Sequence, residues 1–372
     1  LISDHPFATI TTMQRFIVNF LKFLLFLGVG VLILFLLYRH QNAAFQAECA
    51  LKGIPGEECN LMDKVLHDFG TVKVSWLFLV LCAFIVSNIS RAIRWNMLIK
   101  PLGYTPRLIN SFFCIMIGYF ANLGLPRLGE VLRAGTMAQY ENIPVEKVMG
   151  TVVVDRIIDV ISILLVTALA IFLEYDTILA FARQHVAIAD KIAMLQNMLI
   201  WGIPLMLLGM AGLWYFRKQL LATSIGQKIM GFAQGFWQGI QTVRQLDRPW
   251  LFLFHSFLIW FMYYSMTFLN FHAFAPTAHL SLVAALITFV FGGWGIVIPS
   301  PGGMGTYHFL AQTALAMYGI SGEDGFSWAN ISFFTIQLGG NVAIGLSSWL
   351  LLPIVNRNYQ PKALSHEHIG PN

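Results

Sequence analysis

The hydrophobic residues of this chain are gathered into long runs separated by polar stretches. A hydrocarbon core about 30 Å thick is crossed by about 20 apolar residues in a helix. Runs near that length lie at Phe16–Tyr38, Val74–Ile93, Leu108–Leu125, Val148–Leu173, Met198–Phe216, Trp250–Phe274, Leu280–Ile298 and Trp328–Val355. A shorter run, Met304–Ile320, follows a break rich in proline and glycine. The pattern predicts an all-α, polytopic membrane bundle over residues 16–355, with an N-terminal tail (1–15), a C-terminal tail (356–372) and no separate soluble domain. The first run is too long for a signal peptide and lacks a small-residue cleavage site, so it reads as an anchor.

The bias of Lys and Arg in the loops sets the orientation. Arg91, Arg94, Lys100 and Arg107 occupy a connection without Asp or Glu, and the 217–248 loop is also basic; both read as cytoplasmic. The acidic 40–73 loop, Glu174–Lys191 and the Glu323-Asp324 turn read as external, which leaves both termini inside. Parity then poses a problem. Between the cytoplasmic 91–107 connection and the external 174–191 loop lie two apolar runs where only an odd number can cross. The run 108–125 is therefore expected to enter and leave on the cytoplasmic side. By the same reasoning, 280–298 and 304–320 form a hairpin that starts and ends outside. Each hairpin has Pro and Gly at its tip: Asn122, Pro126 and Gly129 in one, and Pro299, Ser300, Pro301, Gly302, Gly303 and Gly305 in the other. Irregular backbone at membrane depth persists only against protein or a wet cavity. Paired broken segments in two halves point to a transporter site and to an inverted repeat.

Composition sharpens the class. Of 372 residues, 57% are hydrophobic and 11% are Asp, Glu, Lys or Arg, against about 25% charged in a soluble domain. Soluble enzymes, disordered regulators and disulfide scaffolds are excluded. The net charge of +5 comes without a Lys/Arg block, so no nucleic-acid partner is expected. Cys82 and Cys114 lie in apolar runs and read as inert buried thiols, whereas Cys49 and Cys59 share a polar loop whose side decides whether they pair.

Against this apolar background the intramembrane charges stand out. Asp155, Arg156 and Asp159 share one helical face by i, i+3 and i, i+4 spacing, roughly 10–17 Å below the start of their run by helical rise. Each charge at a span's centre costs about 2.5–3.5 kcal/mol even on a lenient scale. Two readings stand: an ion pair locking helices, or a substrate, ion or gating role in a cavity. Beside the first break, Arg127, Glu130 and Arg133 suit capture of phosphate or carboxylate, or else anchor a helix end. Arg91, Arg94 and Trp95 read as a snorkelling helix end at the interface. His308 follows the second break, where a helix N-terminus offers N–H groups to an anion; it reads as a satisfied core residue or as part of such a site. Gln337 and Asn341 are interhelical glue or cavity lining. Ile225–Leu246 reads as an interfacial helix with an apolar stripe beside Gly231, Gly235 and Gly239. No nucleotide-loop or zinc-protease motif and no Cys-x-x-Cys occurs, so no cofactor or metal is expected.

Four motifs occur in order: Arg91-x-x-Arg94-Trp95, Asn122-x-x-Leu-Pro126-x-x-Gly129-Glu130-x-x-Arg133, Asp155-Arg156-x-x-Asp159 and Pro299-Ser-Pro-Gly-Gly-x-Gly305. Together they resemble the lysylphosphatidylglycerol synthase transmembrane, or flippase-like, family of prokaryotic membrane proteins, over roughly Trp76 to Leu350. The resemblance implies a helical domain of the cytoplasmic membrane that moves lipids or lipid-linked molecules between leaflets. In bifunctional members it precedes an aminoacyl-tRNA-dependent transferase; that part is expected to be absent here. The family pattern commonly has Glu at the positions of His308 and Asp155. The expected function is therefore a non-enzymatic lipid translocator for an anionic or phosphate-bearing headgroup. Arg127, Arg133 and Arg156 would neutralise it, with Asp155 and Asp159 tuning that charge. The alternatives are a transferase or hydrolase of lipid-linked substrates, and a non-transporting partner of a lipid synthase. A homo-oligomer is compatible with each. External placement of the 40–73 loop predicts that Cys49 and Cys59 are found bridged in native membranes; free thiols there would invert the topology.

Overall fold

The computed structural model describes residues 59–124, 128–184, 245–298 and 303–361, with scattered positions between 28 and 50 and residue 204. Among these residues every regular element is helical, and four helices are long and apolar enough to cross a membrane. Most of the Phe16–Tyr38 run, the 198–216 run apart from residue 204, the interfacial 225–246 helix apart from its last two residues, and the C-terminal tail beyond residue 361 lie outside the described residues. So do Pro126, Arg127, Pro299, Ser300, Pro301 and Gly302.

The first continuously described element is α1 (Leu61–Thr71), capped by Asn60, whose side chain accepts from the Met62 N–H at 2.9 Å. Cys49 and Cys59 are joined by a disulfide just before it. Helix α2 (Val74–Ile99) follows. It continues well past the predicted end at Ile93, so Arg91 and Arg94 belong to a helix and not to a connection. Helices α3 (Leu108–Gly124) and α4 (Leu128–Glu141) fold into a first hairpin. Helix α5 (Val145–Leu173) is 29 residues long, and α6 (Tyr175–Gln184) lies in the loop predicted to be external. After α7 (Pro249–Ala273), α8 (Leu282–Val297) and α9 (Thr306–Ala316) form a second hairpin. The last long helix runs through α10 (Gly322–Phe334), a π-helical stretch at Thr335–Val342, and α11 (Ala343–Val355). It starts six residues before the predicted Trp328, because Ser321 caps it (3.2 Å from the Asp324 N–H) and Glu323 and Asp324 favour its positive N-terminal end. The acidic pair predicted as a turn is thus the helix's first turn, and Asp324 meets Lys64 of α1 at 2.6 Å.

Two antiparallel helices form the centre. The Lys73 N–H before α2 donates to the Ala273 carbonyl at the end of α7 (3.0 Å), and at the other end Ser90 Oγ lies 2.8 Å from His255 Nδ1. Helix α5 also runs antiparallel to α2, since Trp95 Nε1 donates to Thr151 Oγ1 (2.9 Å) while the preceding Arg91 reaches Asp155 and Asp159.

Glycine lets each hairpin close. A Cβ on Gly129 would lie 2.0 Å from the Gly118 carbonyl oxygen, and the Gly129 N–H donates to Asn122 Oδ1 at 2.7 Å. In the second hairpin a Cβ on Gly295 would lie 2.7 Å from Tyr307 Cα, and Thr306 Oγ1 donates to the Gly295 carbonyl at 2.6 Å. Gly303 and Gly305 turn the chain into α9 with φ of +81° each, a region that side chains with a Cβ rarely enter.

The two hairpins are docked in the same way. The first helix of each packs on the second half of the other hairpin's long helix. Phe113 and Ile117 of α3 meet Leu352, and Gly345 faces Met116 and Phe120. Gly293 of α8 faces Ile163, and Trp294 Nε1 donates to Thr167 Oγ1 (3.1 Å). The second helix of each packs on the long helix that follows it: α4 on α5 through Arg133 and Asp155, and α9 on α10 through Tyr307 and Ser332. These registers point the start of α4 and the end of α8 toward the level of Asp159, the middle residue of α5. Gly129→Ala is expected to cost about 1–3 kcal/mol by overpacking. Gly135→Ala, whose Cβ meets nothing within 4 Å, is expected to be neutral or slightly stabilising; thermal unfolding in detergent compares the two.

Candidate functional site

The charges of α5 meet those of α2 and α4 where the first hairpin ends. Asp155 is fully buried and all its lone-pair directions are engaged. One oxygen accepts from Arg94 Nε (3.1 Å) and Nη2 (2.5 Å), and the other from Arg91 Nη1 (3.2 Å) and Arg133 Nη1 (3.0 Å). Asp159, one turn further on, accepts from Arg91 Nη1 at 2.7 Å and Arg94 Nη2 at 2.8 Å. Two carboxylates on α5 therefore hold three guanidinium groups from two other helices. The sequence allows this because i, i+4 spacing on α5 and i, i+3 spacing on α2 put each pair on one face.

Surrounding groups fix the guanidinium planes. The Arg133 guanidinium lies over the Trp95 ring, 3.8 Å from its centroid, and Trp95 is held by its bond to Thr151. Arg94 Nη1 donates to Ser256 Oγ (3.4 Å) and Arg91 Nη2 to Tyr263 Oη (3.2 Å), both on α7, while the Tyr263 and Tyr119 hydroxyls lie 3.4 Å apart. Arg91, Arg94 and Trp95 are buried, which corrects their reading as a snorkelling helix end. Removing one partner of such a buried pair costs about 3–5 kcal/mol, because the other charge stays behind unpaired.

Arg156 is placed differently. Its side chain is 38% exposed, and its nearest carboxylates are Glu130 at 3.4 Å and Asp159 at 3.6 Å, beyond good hydrogen-bond length. Arg91, Arg94, Arg133 and Arg156 against Glu130, Asp155 and Asp159, four against three, leave one positive charge in excess. Glu130 Oε2, Arg91 Nε, Arg133 Nε and Nη2, and Arg156 Nε are buried without a hydrogen-bond partner, so the exposed part of Arg156 is the rest of its side chain. The site can take an anion at the open arginine, and it retains unused donors behind it.

The other predicted residues fall elsewhere. Arg127 lies outside the described residues. His308 is fully buried, accepts from the Gly305 N–H at Nδ1 (3.3 Å), and makes ring contacts with Tyr307, Phe326 and Phe333. Asn341 Nδ2 donates to Gln337 Oε1 (2.6 Å) within the π-helical stretch. There Gly339 and Gly340 press against Leu81 and Phe84 of α2. Asn122, Gly129, Gly303 and Gly305 shape the hairpin turns. Ser256, Tyr263 and Tyr119 carried no signal, since single hydroxyls are common in apolar helices. Arg91 and Arg94 did carry one: two carboxylates inside a span require cationic partners on another helix.

The match to known families covers this whole arrangement. Residues 61–344 match the model of the lysylphosphatidylglycerol synthase TM region. The chain belongs to that family. Among curated proteins, it is similar to the UPF0104 membrane protein MJ1595 of Methanocaldococcus jannaschii, 29% identical over 113 residues. That match covers 30% of this chain and 34% of the relative, so the chain spans about a third of the curated protein it matches. No solved structure matches it. The family match takes in every helix from α1 to the start of α11, and with them the whole cluster.

Asp155→Asn in this lysylphosphatidylglycerol synthase-family chain is expected to lose about 3–5 kcal/mol of stability, seen as a collapse of monodisperse protein in detergent. Arg156→Ala, being partly exposed, is expected to lose no more than about 1 kcal/mol. Equal losses for both would mean that the two arginine environments are not distinct.

Proposed function

We propose that this protein is a lipid translocator that works without ATP hydrolysis or any covalent step. The two hairpins are re-entrant, one opening from the cytoplasm and the other from outside, and they form an inverted repeat with α2 answering to α7 and α5 to the α10–α11 helix. Their matched docking supports the repeat. The ends of both hairpins at the level of Asp159 support a mid-membrane passage. A headgroup crosses there while its tails stay in lipid.

The observation that carries this reading is the partly exposed Arg156 side chain, beside a saturated Asp155 and a cluster of four arginines against three acids. A headgroup phosphate replaces the weak contacts to Glu130 and Asp159 with bidentate, charge-assisted bonds. Asp155 is not itself a ligand in this scheme. It holds Arg91, Arg94 and Arg133 in place, so that the positive potential at Arg156 does not disperse. The first turn of α9 adds backbone N–H groups near the other hairpin's end. The substrate is a phospholipid or lipid-linked molecule with an anionic or phosphate-bearing headgroup. The setting is a prokaryotic cytoplasmic membrane with both termini inside.

In proteoliposomes, movement of fluorescent phosphatidylglycerol between leaflets is expected to speed up with the protein, and to fall at least about tenfold with Arg156→Ala, the loss of one charge-assisted pair being worth about 1.4 kcal/mol or more. Arg156→Lys is expected to retain part of the rate. Failure to move any headgroup class would overturn the proposal, and covalent turnover of the lipid would instead favour a membrane enzyme.

A further inference from the structure

We propose that the two hairpins are mechanically unequal: α3–α4 is a fixed wall, and α8–α9 is the gate that moves against α5. This rests on the translocator reading for its purpose, but not for its geometry.

The first hairpin is fastened at both ends by charge. Near its tip, α4 is tied to α5 by Arg133 on the fully buried Asp155 (3.0 Å). At its base the buried Glu141 accepts from the Arg107 N–H (3.0 Å), Asn110 Nδ2 (2.6 Å) and the Tyr359 hydroxyl (2.9 Å). Asn110 and Asn356 exchange amide hydrogen bonds at 2.9 and 2.7 Å, and Arg107 stacks on Tyr359 at 4.6 Å. One carboxylate thus joins the start of α3, the end of α4 and the chain leaving α11. Moving this hairpin separates buried ions and strands a carboxylate, and both steps are strongly unfavourable.

The second hairpin is built without ions. Neither Leu282–Val297 nor Thr306–Ala316 contains an Asp, Glu, Lys or Arg. Its hold on α5 is apolar packing plus the Trp294–Thr167 hydrogen bond, and the seam is smoothed by Gly293, where an added Cβ would touch only Ile163 at 3.5 Å. On the side of α10 it has the Tyr307–Ser332 and Gln312–Gly322 hydrogen bonds. The end of α8 is partly open: Ile296 and Val297 are each more than half exposed, with Ile296 resting on Gly303. The left-handed Gly303 and Gly305 at the start of α9 provide backbone freedom where a pivot needs it. Sliding an ion-free, glycine-faced surface breaks few polar bonds and strands no charge. Of the two hairpins, this one has the lower barrier to motion.

The test places spin labels at exposed positions in full-length protein carrying Cys82→Ala and Cys114→Ala. One pair is Phe78→Cys with Phe309→Cys, reporting α9 against α2; the other is Phe78→Cys with Val131→Cys, reporting α4 against α2. Distances are read in nanodiscs of phosphatidylglycerol and of phosphatidylcholine. The 78–309 distribution is expected to be broad or two-peaked and to shift between the lipids, while 78–131 stays single, narrow and unchanged. A shift in 78–131, or a narrow and identical 78–309 distribution in both lipids, would overturn the proposal. The readout does not depend on transport: a moving α9 in a protein that translocates nothing would refute the translocator reading and leave the gate standing.

Discussion

Ionised groups removed from water must be paired, and this requirement organises the protein. Asp155 is fully buried in the middle of an apolar helix, a position that is tenable only because three guanidinium groups converge on it. Those three come from α2 and α4, so a single carboxylate fixes the angle between three helices and the depth of the first hairpin. Water has been replaced by a fixed shell of charge, aromatic ring and hydroxyl. In a low-dielectric setting each member of that shell makes the loss of another more costly.

Saturation of Asp155 is what leaves Arg156 with work to do. Were the cluster neutral and closed, it would be a lock between helices and nothing more. Its count of four arginines to three acids, and the partial exposure of the fourth arginine, give it both a structural half and an open half. Under the translocator proposal, the lock and the site, which stood as rival readings of the same charges, become two ends of one cluster. Close glycine contacts then allow the two short helical hairpins to fold tightly.

Much of this was legible in the sequence. Run lengths located the four long apolar helices among the described residues, because hydrophobic length answers to the bilayer directly, and the Pro/Gly breaks marked where the chain turns between α3 and α4 and between α8 and α9. The identity of the site was half legible. Asp155, Arg156 and Asp159 declared themselves by being ionised inside a span. Arg91 and Arg94 were misplaced because they stand near the end of an apolar run, where a snorkelling arginine and a buried one look alike; only the packing of α5 against α2 separates the cases. The first turn at Ser321 was missed because polar capping residues resemble a loop until the helix they start is seen. Asn341 could not be assigned, since an i, i+4 amide pair bonds along a helix as readily as between two. The role of Glu141 had no signal at all, because its partners are scattered from Arg107 to Tyr359 and meet only in the fold.

The most direct measurement of the central claim is an electron cryo-microscopy map of the protein in lipid nanodiscs, read at the level of Arg156. A wet or lipid-filled opening between the two hairpin ends, with headgroup density against Arg156 and none reaching Asp155, is the predicted result. Side chains packed without a gap from α4 to α8, with Arg156 folded into a dry ion pair, would contradict it.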